Sequence, residues 1–199
     1  SGRPVTPHVG RHVVNENWEE AVMTYLSMEG PNEGEEAQAI RQRIRENGIN
    51  EALLEDLPRW MGFERRMIEH LLSNPDDHVG AFRKLPTNLQ LMTVHALQSI
   101  VFNKSLQRRL EEGLPLARPV VGDIVGRVDE KSQLDVNSCV VVQERTLNRI
   151  SRNCDLGRLM TTGPLPGSEI STSEGEPGQL EQATIEAEGL GDLSWDVEA

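Results

Sequence analysis

The chain has 199 residues, 37% hydrophobic and 26% charged, with 17 glycines and 11 prolines; this excludes collagen-like and wholly disordered chains and leaves one large domain, or a domain with an appendage. No apolar run approaches the roughly 18 residues of a membrane span, and the opening Ser1-Gly2-Arg3-Pro4 has neither a signal pattern nor an initiator methionine, so the expectation is a cytoplasmic piece of something longer. The formal net charge of -12 argues against a nucleic-acid partner until its distribution is read.

Residues 1–14, with two prolines and two glycines, read as an extended approach segment. Asn17 with Glu20 forms a capping box, and Trp18, Ala21, Val22, Tyr25 and Leu26 follow at helical spacing, predicting a first helix to about Met28. Gly30–Gly34 breaks it, Glu35 to Glu46 restarts as a polar helix ending near Asn47-Gly48, and shorter helices are expected over 50–56, 64–73 and 76–83. After Leu85-Pro86 comes the strongest signal: Thr87 and Gln90 as a second capping box, Leu89, Met92, Ala96, Ile100, Phe102, Leu106 and Leu110 as the apolar side, and Gly113 as the stop. A helix of about 25 residues would be roughly 38 Å long. Val120–Val128 and Ser138–Gln143 then read as β-branched strands around a turn-rich 129–137, followed by a short helix over 146–153, a strand over 158–162 and an acidic helix from Glu176 to Glu188 closed by Gly189. The fold class is α+β: a mostly helical N-terminal part with one long central helix, then a small β-sheet and a C-terminal acidic helix.

Several chemistries find no motif. Neither GxGxxG nor GxxxxGK[ST] occurs. His8 and His12 stand four apart, but no third ligand is near and Pro7 and Gly10 disfavour a helix there, so no metal is expected. No nucleophile motif frames Ser99, Ser105, Cys139 or Cys154, and two cysteines fit a reducing compartment with Cys139 a buried thiol of a strand.

The charge distribution is informative. Nine acids and no bases lie between Ser168 and Ala199, whereas the stretch from Phe82 to Arg118 carries Arg83, Lys84, Lys104, Arg108, Arg109 and Arg118 against Glu111 and Glu112. An acidic chain can therefore still present a basic patch. Only Lys84, Lys104 and Lys131 are lysines among 20 bases, the balance expected of a salt-adapted protein. The long helix also bears His95, Gln98, Ser99 and Asn103, donors of the kind that contact phosphate and sugar oxygens. An ordinary amphipathic helix with a solvated basic end explains the same residues.

The run Leu85-Pro86, Leu91, Ala96, Gln98-Ser99, Phe102-Asn103 and Arg109 resembles the helix signature of the TruD-type tRNA pseudouridine synthases. Arg3-Pro4-Val5-Thr6 with His8 and Gly10 is similar to the stretch after that family's Asn-Tyr-Phe-Gly and Gln-Arg-Phe-Gly motif. Val121-Gly122-Asp123, Thr162–Gly167 and Glu174–Gly178 are similar to its later landmarks, with details closest to the archaeal branch. The resemblance implies an isomerase without cofactor or metal. An aspartate acts on a uridine taken out of its stack, the glycosidic bond breaks, and the base rotates and rejoins the ribose through carbon. That aspartate belongs to a Gly-x-Lys-Asp-type motif, which these residues lack.

The resemblance therefore implies a fragment: residues 1–18 as the end of the catalytic lobe and 19–199 as a C-terminally truncated insertion domain, inactive alone, monomeric, with tRNA as partner and no membrane. Arg3, His8, Arg83, Lys84, Lys104, Arg108 and Arg109 would bind RNA backbone, each alternatively a surface charge or an internal ion pair. Gln98, Phe102, Asn103, Gly163, Pro164 and Gly167 would form a structural motif holding the helix against the loop, and the acidic segment from Ser168 would face away from RNA. The competing reading is a non-enzymatic acidic helical module binding protein or RNA.

Overall fold

The computed structural model describes residues 4–163, 165–167 and 172–191. They form two compact units whose boundary falls within one helix, the first ending at Leu97 and the second beginning at Gln98.

The first unit contains α1 (Thr6–Val14), α2 (Trp18–Ser27), α3 (Glu35–Asn47), α4 (Glu51–Asp56), α5 (Gly62–Ser73), α6 (His78–Phe82) and the start of α7 (Thr87–Glu111). Helix α1 corrects the expected extended segment. Pro7 lies in its first turn, where a missing N–H costs nothing. Gly10 is there because the helix presses on backbone: a Cβ at this position would lie 2.1 Å from the Thr93 carbonyl oxygen. Val9 and Val13 then enter the same core as Val22, Leu26, Ile44, Met67 and Ile68, so packing runs across residue 18 without a break. Trp18 closes this core against Phe82, ring centroids 5.7 Å apart.

At the centre of the first unit sits Arg41, only 1% exposed. Its Nε donates to Glu33 at 2.9 Å, Nη1 to the Leu26 carbonyl at 2.8 Å and Nη2 to Glu64 at 3.0 Å. One guanidinium thus neutralises two acids and takes up an orphan carbonyl at the C-terminus of α2.

The second unit carries the rest of α7, strands β1 (Ile124–Val128), β2 (Leu134–Val141) and β3 (Leu159–Thr161), a 3-10 turn at Glu144–Thr146, α8 (Leu147–Asp155) and α9 (Gly175–Ala187). The antiparallel sheet has the order β2-β1-β3. Its register slips between Val125 and Arg127, where Gly126 leaves room for the Leu134 and Cys139 side chains, 2.5 and 2.9 Å from where its Cβ would stand. Ile150 of α8 packs on Val125 and Val142. The α+β expectation, the 25-residue helix and the positive-φ glycines that follow α7 and α9, Gly113 and Gly189, agree with this architecture.

The buried side of α7 differs from the expected one. Met92 and Leu110 are about half exposed, whereas Thr93, Leu97, Val101, Ser105 and Arg109 are buried. These five recur at a spacing of four, which traces one ridge of a helix. Three of them are polar, so a search for apolar periodicity passes beside the ridge.

Candidate nucleic-acid interface

The second half of α7 gathers the sequence landmarks of its unit. Gln98 Nε2 donates to the Pro166 carbonyl at 2.7 Å. Phe102 occupies the space beside Gly163, where a Cβ would lie 2.6 Å from the ring. Gln98 and Phe102 thereby hold the loop carrying Gly163 and Gly167; Pro164 of the same motif lies outside the described residues. Gly122 accepts from Glu174 N at 2.8 Å, and the Glu174 carbonyl oxygen is 2.1 Å from where a Gly122 Cβ would stand, at φ 97°. Three stretches far apart in sequence converge on one helix because two glycines permit backbone-close contact.

Arg109 is the pin of this assembly. It forms a bidentate pair with Asp123 at 2.6 and 2.7 Å, and its Nε donates to the Pro115 carbonyl at 2.9 Å. Asp123 also accepts from Val120 N at 2.7 Å. With 10% and 1% of the two side chains exposed, this is an internal ion pair. That corrects the expectation of an RNA contact for Arg109: its guanidinium is committed to the fold.

The remaining basic candidates are more open. In the first unit His8, Arg83 and Lys84 are exposed, and Arg83 has no ion pair among the described residues; Arg3 lies outside them. In the second unit Arg108 is half-buried and without an ion pair among the described residues. Lys104 keeps half of its side chain exposed while pairing with the buried Glu188, and Asn103 is exposed. These side chains can present hydrogen-bond donors and positive charge to phosphate oxygens.

The acidic C-terminal stretch folds partly inward. Glu181 accepts from Ser173 Oγ at 2.9 Å and Ser173 N at 3.2 Å, and burial pushes its carboxyl above the usual range against those bonds. Glu188 is engaged by Lys104, whereas Glu174, Glu176 and Glu186 are exposed. Burial likewise pushes both free thiols upward, Cys139 beside Asp135 and Cys154 beside Asp155, so neither is an activated nucleophile. Neither thiol is fully buried, a correction to the buried Cys139 expected from its strand.

Residues that periodicity and motifs pass over include Glu181, Thr161 and Arg41, and the landmark Val121-Gly122-Asp123 does not by itself name Arg109 as the partner of Asp123. Ser105 Oγ and Thr161 Oγ1 are buried without a hydrogen-bond partner among the described residues. Asp123 carries a signal, since a lone acid just before a β-branched run is a candidate partner for a buried base. Among the described residues there is no group of three metal-ligating side chains, and no helix is long and apolar enough to cross a membrane.

Residues 1–199 match the family described as tRNA pseudouridine synthase D (TruD). Similar curated proteins include the Probable tRNA pseudouridine synthase D of Methanosarcina mazei, 38% identical over 100% of this chain and 45% of that protein. The protein of the same description from Halobacterium salinarum is 32% identical over 99% of this chain and 46% of its own length. A crystal structure of the Methanosarcina mazei protein superposes with a TM-score of 0.90 at 38% identity, over 98% of this chain and 44% of the other. The chain thus spans less than half the length of the curated relatives it matches.

Proposed function

We propose that this chain, which belongs to the tRNA pseudouridine synthase D (TruD) family over residues 1–199, is the RNA-positioning part of an enzyme that isomerises a uridine of tRNA to pseudouridine. The observation that carries this reading is the match to the family along the whole chain, joined to the convergence of its landmark segments on α7. We propose residues 1–18 as the end of a catalytic lobe and 19–199 as an insertion domain, a functional division that the shared core of Val9, Val13, Val22 and Leu26 does not follow.

Taking a base out of its stack costs a few kcal/mol, so the surrounding RNA must be held by backbone and shape. In this reading His8, Arg83, Lys84, Lys104 and Arg108 supply backbone contacts, Arg3 adds to them near the lobe junction, and Arg109 secures the helix that carries Lys104 and Arg108. The sequence holds no Gly-x-Lys-Asp tetrad, so the chain by itself leaves uridine unchanged, and the reaction depends on an aspartate supplied by a longer protein. No metal or organic cofactor has a role in this reading.

The test is tRNA binding by the 199-residue chain across a salt series. Changing Arg83, Lys84, Lys104 and Arg108 to Gln should weaken binding evenly across tRNA sequences and lower the slope of log K against log salt by about 0.7 to 0.9 for each phosphate no longer neutralised. An unchanged slope would remove these residues from the interface. A full-length protein containing this segment, assayed on tRNA transcripts with its aspartate intact or changed to Ala, tests the isomerase reading directly.

A further inference from the structure

The turn between α4 and α5 presents an indole to solvent. Trp60 is 64% exposed, although the chain has only three tryptophans and Trp18 is packed into the core. The turn beneath it is firmly held. Leu57 and Met61 are buried at 4% and 1% exposure, and Arg65 Nη2 donates to the carbonyls of Leu54 and Leu57 at 2.9 and 3.0 Å. The indole is therefore displayed from a fixed base.

The turn itself and the start of α5 are cationic, although α4 before them ends on the exposed Glu55 and Asp56, the latter paired with Arg43. Arg59 is exposed and has no ion pair among the described residues. Arg66, also exposed, lies over the Phe63 ring with its guanidinium carbon 5.0 Å from the ring centroid. The one acid among residues 57–66, Glu64, is turned inward and neutralised by Arg41. An exposed flat ring beside uncompensated arginines has the chemistry of a single-stranded nucleic-acid platform, where a base stacks on the ring and guanidinium groups meet the phosphates. A protein partner would favour a broader apolar patch, and no other residue from Leu57 to Phe63 is an exposed large hydrophobic.

We propose that Trp60 is a stacking platform for an unpaired base of the bound RNA, with Arg59 and Arg66 receiving the adjoining phosphates. The inference rests on the tRNA reading above for its partner and adds a contact independent of the charged set named there.

Stacking and ion pairing separate by salt dependence. In the 199-residue chain, Trp60→Ala should lower tRNA affinity about tenfold, with the salt slope and thermal midpoint unchanged, because stacking releases no counterions and the indole is exposed. Trp60→Phe should retain most of the affinity, and Arg59→Gln should lower the slope by about 0.7, the increment of one single-strand phosphate contact. Affinity of Trp60→Ala within about twofold of the parent chain, against the expected stacking contribution, would overturn the inference and leave the tRNA reading standing. If the parent chain binds no tRNA, that reading fails and single-stranded oligoadenylate at low salt becomes the probe. Quenching of tryptophan fluorescence that Trp60→Phe abolishes would support the platform, and absence of such quenching would overturn it.

Discussion

Replacing Arg109 with Leu separates a structural role from an RNA contact. The substitution leaves the Asp123 carboxylate, 1% exposed, with the Val120 N–H as its remaining donor among the described residues. Breaking a buried ion pair from one side costs about 3–5 kcal/mol, because the surviving charge is left uncompensated. With an m-value of roughly 2 kcal/mol per molar urea, the midpoint for the second unit should fall by about 2 M. The transition is followed by hydrogen exchange at the Val125 and Val142 amides, both in the core of the second unit. The double variant Arg109→Leu, Asp123→Leu removes both charges and takes away only two neutral partners, the Asp123 acceptor of Val120 N–H and the Arg109 donor to the exposed Pro115 carbonyl. Its cost should be about 1–3 kcal/mol, well below the sum of the single changes. A loss under about 1 kcal/mol for Arg109→Leu, against the cost of an uncompensated buried charge, or weaker tRNA binding by a variant of undiminished stability, would refute the structural assignment.

Three further outcomes follow from the same packing. Gly122→Ala must accommodate a Cβ 2.1 Å from the Glu174 carbonyl oxygen at φ 97°; it should cost about 2 kcal/mol or more by urea denaturation, and a neutral result would show that the two segments part without penalty. Ser105→Ala removes a buried hydroxyl that has no partner among the described residues, so it should stabilise the second unit or leave its thermal midpoint unchanged; a clear loss would reveal a bond to that hydroxyl. Glu181→Gln tests the carboxyl that burial pushes upward. A raised carboxyl favours the fold below its unfolded pKa and loses that advantage as pH rises through the folded one. The variant should therefore melt above the parent near neutrality, with the difference fading as acid protonates Glu181; an equal difference at every pH would assign the effect to packing.

Local chemistry makes most elements readable, because caps, stops and β-branched runs act within a few residues. Helix α3 begins at Glu35 and ends against Gly48 at φ 67°, and the runs after Gly113 lie close to their expected places except that β2 starts at Leu134, inside the stretch expected as a turn, where Leu134 pairs with Val128. Helix α1 is hidden from the sequence because proline and glycine count there as breakers, whereas Pro7 sits where a first turn tolerates it and Gly10 meets the Thr93 backbone. Both reasons involve position or tertiary contact, which a count of breakers does not carry. Arg109 shows the same limit for the site. Its charge suits it equally to phosphate or to an acid in the fold, and that acid, Asp123, arrives from beyond the end of the helix.

Charge bookkeeping along the chain meets a related limit, because a formal sum treats every acid as a repulsive surface group. Glu33 and Glu64 are taken up by Arg41, Asp123 by Arg109, and Glu188 by Lys104. The potential that an approaching polyanion meets depends on which charges remain uncompensated at the surface. The four matched acids take three bases with them, so pairing hardly alters the net charge of -12; what matters locally is that Arg83 and Arg59 are exposed without an ion pair among the described residues. A chain acidic in total can thus attract RNA locally, and added salt should weaken that attraction through the exposed arginines while leaving the buried pairs largely intact.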